Sequence, residues 1–214
     1  MSEPPDKSGR NILITGATGA IGAALAEIYA QRGVTLHLHG RNAAKLTEVA
    51  ERCRLKGAYV LMRCLDLRDS VALQDWLKVL EPLDLVIINA GVNTHVGAAG
   101  ESEPLDEVEA LVDVNLKAAM IIAHAVLPSM RERGQGQIAF VSSLAAYFGL
   151  PVTHRRIAPA RQVSRRMVRR CAVGWQEKES RSMSSCRGMS SHPCVRTCRV
   201  QSLFYGRLIV WQAL

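Results

Sequence analysis

The sequence predicts an α/β fold, an open doubly wound parallel sheet with helices on both faces, and three observations carry that prediction. From Asn11 to Ser143, short apolar runs of strand length alternate with longer segments of helical spacing. The run Leu83 to Ile88 is almost continuously apolar, as a strand covered on both faces must be. A glycine-rich turn, Thr15-Gly16-Ala17-Thr18-Gly19-Ala20-Ile21-Gly22, joins the first apolar run to the first helical one.

Asn11 to Ile14 supplies the first strand. In the turn after it, Gly16 permits a bend that a side chain would obstruct, Gly19 lets backbone approach a ligand, and Gly22 lets the next helix lie close on the sheet. That helix begins near Ala20, with Ile21, Leu25, Ile28 and Tyr29 spaced for burial. Its first N–H groups and the positive end of its dipole favour an anion, so the pyrophosphate of a dinucleotide is expected at the turn. Val34 to His39 is a second strand, and Arg41-Asn42 opens a helical stretch to about Arg54 with Leu46 and Val49 inward. Tyr59 to Arg63 is a third strand, followed by Asp66-Leu67 and a helix over Ser70 to Leu80 that offers Val71, Leu73, Trp76, Leu77 and Leu80 for burial. The fourth strand, Leu83 to Ile88, runs into Asn89-Ala90-Gly91; a long helix from about Leu105 to Arg131 precedes a fifth strand, Gln137 to Val141, which ends in Ser142-Ser143. Gly16, Arg41, Asp66, Asn89 and Ser143 thus each follow a strand. Ligands of open α/β sheets lie at the strand carboxyl ends, where a single ligand would meet all five.

The overall charge of +8 suggests a polyanion partner only until it is divided. Residues 1–150 hold 14 Lys and Arg against 17 Asp and Glu, net −3, whereas residues 151–214 hold 13 against only Glu177 and Glu179, net +11. Met1 to Arg10 is polar and lacks the apolar stretch of a signal peptide, so a flexible N-terminus and a cytoplasmic location are expected. The longest apolar helical run, Ala118 to Leu127, is interrupted by His124 and stopped by Pro128, short of the roughly 20 residues a bilayer requires. No membrane partner is expected.

The motifs T-G-A-T-G-A-I-G at 15–22, Asp66, N-A-G at 89–91, V-N-L around Asn115 and V-S-S at 141–143 occur in order, and over about residues 10–153 the chain resembles the short-chain dehydrogenase/reductase family. The resemblance implies a Rossmann-like domain over residues 11–153, with about five of the family's usual seven strands. It implies that Gly16, Thr18 and Ile21 line a diphosphate, with Gly22 in the same glycine motif. Asp66 and Leu67 would meet the adenine, and Asn89, Ala90 and Gly91 the ribose and the central strand. Ser143 would hydrogen-bond a substrate oxygen and Asn115 would support a proton relay. Read structurally, Asp66 is instead a helix cap and Asn115 a satisfied buried amide. The implied reaction interconverts a small-molecule carbonyl and a secondary alcohol. At the end of the second strand, Gly40-Arg41 offers a guanidinium where a carboxylate would repel a 2′-phosphate, which favours NADP over NAD as cofactor, with NAD as the other candidate.

The family mechanism needs a tyrosine some 13 residues after the serine and a lysine four residues further on, yet Arg156 and Ala160 stand there and residues 148–177 contain neither type. Back-translation from Thr153, read from the third base of each codon, lets His154 to Val163 encode P-A-Y-S-A-S-K-A-G. Met167-Val168 then forces glycine and Trp175-Gln176 forces alanine. A reading-frame shift near Thr153 or His154 follows, and residues 154–214 become an irregular, basic, non-native tail, expected to be disordered. The rival readings of that tail are a basic nucleic-acid arm and a zinc site from Cys186, His192, Cys194 and Cys198. The latter lacks the paired spacing of an established zinc motif, so neither a metal nor a nucleic-acid partner is expected. The expectation is therefore a truncated oxidoreductase, impaired by the missing pair, whose intact relatives form homo-oligomers; the alternative is a dinucleotide-binding protein without catalysis.

Overall fold

The structure is a computed structural model that describes residues 9–95, 103–143, 201–205 and 208–213. Its elements in chain order are β1 (Arg10–Ile14), α1 (Ala20–Tyr29), β2 (Val34–Gly40), α2 (Ala43–Leu55), β3 (Tyr59–Cys64), α3 (Ser70–Lys78) and β4 (Leu85–Ile88). There follow α4 (Leu105–Val112), a π turn (Asp113–Ala118), α5 (Ala119–Arg133), β5 (Gln137–Ser143), β6 (Gln201–Tyr205) and β7 (Leu208–Ala213). The sheet order is β3-β2-β1-β4-β5-β7-β6. The first five strands are parallel, with Ile12 opposite both Leu36 and Leu85, and Val86 opposite Ile138. The chain winds outward from β1 through β2 to β3, then returns to β4 on the other side of β1. Strand order therefore reverses between β1 and β4, and a crevice opens at their carboxyl ends.

Alternation along the strands divides the core. Ile12, Ile14, Leu36, Leu38, Leu85 and Ile87 face the side covered by α1 and α2, while Leu13, Val86, Ile88, Ile138 and Phe140 face the side covered by α3 and α5. Both faces are apolar, which is why these strands carry nearly continuous apolar runs.

The architecture departs from the sequence expectation beyond β5 and along α1. The five expected strands form the parallel part of the sheet, and among the described residues two more lie beyond them: β7 pairs antiparallel with β5 and β6 with β7, so β5 is not an edge. An open strand edge presents unpaired N–H and C=O groups that an extended apolar segment can satisfy, and Leu208-Ile209-Val210-Trp211 is such a segment. Under the shifted-frame reading this segment is a product of out-of-frame codons. Residues 1–8 and 154–200, with the cysteines and histidine of the zinc reading, lie outside the described residues.

Pro128 lies inside α5, as a helix over Leu105 to Arg131 requires, and α5 ends at Gly134 in the left-handed conformation. Leu105–Arg133 consequently runs for 29 residues, long and apolar enough by length and composition to cross a membrane, although its Leu111, Ile122, Ala123, Val126 and Met130 are buried as in a core helix. The buried face of α1 also differs: Ile21 and Ile28 are exposed, and the helix buries its small residues Gly22 and Ala26. Close approach to the sheet leaves no room there for large side chains. The third helix is capped by Asp69, whose carboxylate accepts from the Val71 and Ala72 N–H groups, and not by Asp66.

Candidate functional site

A crevice of about 520 Å³ opens at the carboxyl ends of β1, β2, β4 and β5. Among its lining residues are Gly16, Thr18, Ile21, Arg41, Asp66, Leu67, Asn89, Ala90 and Gly91. Nine of the twelve residues singled out in the sequence therefore share one cavity. The other three are Gly22, Asn115 and Ser143.

The floor is a lock between the ends of β1 and β4. Thr15 is fully buried, and its hydroxyl oxygen accepts from the Asn89 and Ala90 N–H groups at 3.1 Å each. Asn89 answers through its side chain, whose Nδ2 donates to the Thr15 and Gly16 carbonyls at 3.1 Å each. Gly16 adopts φ +68°, and a Cβ there would stand 2.8 Å from the Ala90 Cα. Gly22 does not line the crevice but supports it from below. A Cβ on Gly22 would collide with the Gly16 carbonyl oxygen and stand 2.8 Å from Asn89 Nδ2. Above this floor α1 begins at Gly19 with no side-chain cap and no acidic residue in its first turn, so its leading N–H groups and dipole are directed at the crevice.

The wall beyond β2 carries positive charge. Arg41 and Lys45 both line the crevice, and Asn42 caps α2 by accepting from the Lys45 N–H at 2.9 Å. Asp66 stands on the wall beyond β3, where Arg68 grips one of its oxygens through Nη2 at 2.6 Å and Nε at 2.9 Å. The Arg68 hydrogen bond holds the Asp66 carboxyl below the usual carboxylate range, so the group is ionised at neutral pH.

Asn115 sits in the π turn, buried, one position beyond the lining residue Val114. Its Oδ1 accepts from the Val92 N–H and its Nδ2 donates to the Val92 carbonyl, both at 2.8 Å. This pins the segment after Asn89-Ala90-Gly91 to the long helix, and the structural reading of Asn115 as a satisfied amide describes these bonds. The π turn is the device that presents it, since a local i→i+5 winding re-aims a side chain that a regular helix would place elsewhere. Asn115→Leu leaves both Val92 groups without these partners and is expected to destabilise the protein by about 2 to 4 kcal/mol, measured by denaturant unfolding. Ser143 closes β5 opposite Leu208, and its neighbour Ser142 lines the crevice.

Sequence reasoning missed Thr15 as the lock's acceptor, Lys45 as a second cation, Arg68 as the partner of Asp66, and His39, a crevice residue that is 2% exposed. Thr15 and Lys45 had signals, respectively the residue opening the glycine motif and a cation one helical turn beyond Arg41. The other two depend on tertiary or local geometry.

A family model described as short chain dehydrogenase matches residues 10–155. The chain is 34% identical over 149 residues to an uncharacterised oxidoreductase of Myxococcus xanthus, covering 68% of this chain and 58% of that protein. It is likewise 34% identical over 149 residues to sulfoacetaldehyde reductase 2 of Chromohalobacter salexigens, covering 67% and 58%. Among solved structures it is similar to a short-chain dehydrogenase from Sphingobium yanoikuyae in complex with NADPH, with 26% identity, a TM-score of 0.70, and coverage of 78% of this chain and 66% of that one. The chain spans about half the length of the curated relatives it matches.

Proposed function

Because the chain belongs to the short-chain dehydrogenase family, we propose that its crevice binds NADP(H), with NAD(H) as the weaker ligand, for interconversion of a small-molecule carbonyl and a secondary alcohol. The observation that carries the reading is the glycine floor. Gly16 and Gly22 leave a cradle that a Cβ at either position would obstruct, under an uncapped helix N-terminus. A diphosphate fits that cradle by shape and charge. NADPH in a similar solved structure supports the assignment.

Each side of the crevice has a task in this reading. The leading N–H groups of α1 and the backbone around Thr18 and Ile21 receive the diphosphate. Arg41, with Lys45 beside it, meets a 2′-phosphate, and Asp66 and Leu67 border the adenine. Asn89, Ala90 and Gly91, fixed by Thr15, border the ribose. The bound cofactor supplies or accepts the hydride. Ser143 then orients the substrate oxygen, and Asn115 holds the adjoining segment through Val92.

Arg41 is exposed, so solvent screens part of its contact with a phosphate. Arg41→Ala is expected to weaken NADPH by about 1 to 2 kcal/mol, roughly five- to thirtyfold, and to leave NADH nearly unchanged. Equilibrium titration of both cofactors tests this, and equal weakening would assign Arg41 a structural role only. A second reading, dinucleotide binding without efficient turnover, is favoured by the absence of tyrosine and lysine from residues 148–177. The shifted reading frame reconciles the two: the intact gene product would be the enzyme, and the chain as written would retain the cofactor crevice.

A further inference from the structure

We propose that His39 is a positioning residue which, as a neutral imidazole protonated on Nε2, bolts the glycine turn to the adenine-side wall of the crevice, so that cofactor affinity falls when the ring takes up a second proton. The inference rests on the cofactor reading above.

The two ring nitrogens face backbone groups of opposite kind. The Gly16 N–H donates to Nδ1 at 3.4 Å, so Nδ1 carries a lone pair. Nε2 lies 3.1 Å from the Leu65 carbonyl oxygen, which can only accept, so Nε2 carries the proton. Gly16 belongs to the diphosphate floor, and Leu65 immediately precedes Asp66 and Leu67. The backbone of the same residue reinforces the bolt, since the Ala17 N–H donates to the His39 carbonyl at 2.8 Å. The ring is packed against Trp76 of α3, with centroids 5.7 Å apart and planes tilted by 35°.

Protonation would place an Nδ1–H against the Gly16 N–H, donor against donor, and the turn would lose its acceptor. Burial holds the ring's pKa below the ordinary histidine value; the Leu65 carbonyl opposes that shift, Arg41 adds to it and Asp66 opposes it. Among the described residues, those two are the charged groups that act on the ring. Asp66 is itself gripped by Arg68, α3 contributes the uncharged Trp76, and the glycine turn brings no charged side chain. With a folded-state pKa below the unfolded value of about 6.5, the contribution of the neutral ring is complete above that pH and is lost as pH falls through the lowered native pKa.

The test uses the full 214-residue chain labelled with ¹⁵N-histidine. Long-range proton–nitrogen spectra at neutral pH should show His39 with a protonated Nε2 and a bare Nδ1, the signals being assigned by their loss in His39→Gln. NADP⁺ titrations from about pH 8 down to the acid limit at which the protein stays folded should show wild-type affinity falling with pH, beyond the fall that protonation of the 2′-phosphate at about pH 6 gives every variant. His39→Leu keeps an apolar filling but no hydrogen bond, and should bind about five- to tenfold more weakly at the upper pH, without that additional pH dependence. His39→Gln, which has both a donor and an acceptor, should recover part of the affinity and also lose the additional pH dependence. A protonated Nδ1 at neutral pH, or a pH profile shared by wild type and both variants, would overturn the proposal. Wild-type protein that binds no NADP⁺ at any pH overturns the cofactor reading itself. That failure is distinguished from failure of the His39 assignment by the ring-nitrogen signals, which need no ligand.

Discussion

Replacement of Gly22 by alanine is expected to weaken NADPH binding by about 2 to 3 kcal/mol, roughly 30- to 150-fold. Helix propensity alone predicts the opposite, because alanine at an interior helix position is favoured over glycine by about 1 kcal/mol. The added methyl decides the sign. It would drive into the Gly16 carbonyl and against Asn89 Nδ2, which are backbone and a side chain already bonded to two carbonyls, so neither can yield cheaply. Relief must come from moving α1 off the floor or from breaking the Asn89 lock, and both deform the cradle proposed for the diphosphate. Gly134→Ala is the control: Gly134 has φ +66° but nothing within 4 Å of its added Cβ, so it reports left-handed strain without a clash. The control should lose thermal stability modestly and bind NADPH as the parent does. Calorimetric titration with a parallel thermal melt checks both. Unchanged NADPH affinity in a folded Gly22→Ala protein would show that the helix accommodates a side chain there.

The second large effect concerns turnover. Proton transfer to the substrate oxygen by a positioned acid contributes about 10² to 10⁴ in rate. The position where the family has its tyrosine is Arg156 here, and four residues on stands Ala160. An arginine remains charged far above neutral pH and cannot serve as that acid. The chain as written should therefore reduce simple ketones about 10² to 10⁴ times more slowly than a frame-corrected protein, measured as NADPH consumption under saturating cofactor. Sequencing reads across codons 150–165 should show an open frame for Y-S-A-S-K once one base is restored or two are removed. Equal turnover by the two proteins would show that another group supplies the proton, and reads without such a frame would remove the explanation for the missing pair.

The crevice was legible in the sequence because its main parts are written locally. A glycine turn, N-A-G and a strand-end arginine each follow an apolar run, and strand order at β1 and β4 gathers them. What escaped depends on contacts between distant segments. His39 appears in the sequence as one polar residue of a strand; its role exists only because Gly16 and Leu65, 23 positions before it and 26 after it, present an N–H and a carbonyl to its two nitrogens. Spacing also misjudged α1, since a 3.6-residue pattern favours the large Ile21 and Ile28 for burial while close approach to the sheet selects Gly22 and Ala26. The π turn at Asn115 is hidden for a related reason: propensity describes regular winding, and this feature departs from it. Pairing of β7 on β5 lies outside what the shifted-frame reading of residues 154–214 anticipates, although residues 208–213 carry an extended apolar pattern.

The central claim is that the crevice at the β1 and β4 ends is an NADP(H) site. Equilibrium titration of the full chain with NADPH and then NADH, followed by nicotinamide fluorescence, tests it most directly. Saturable one-to-one binding with NADPH tighter than NADH is the predicted result. Absence of saturable binding by either cofactor, from protein shown by its melt to be folded, would contradict it.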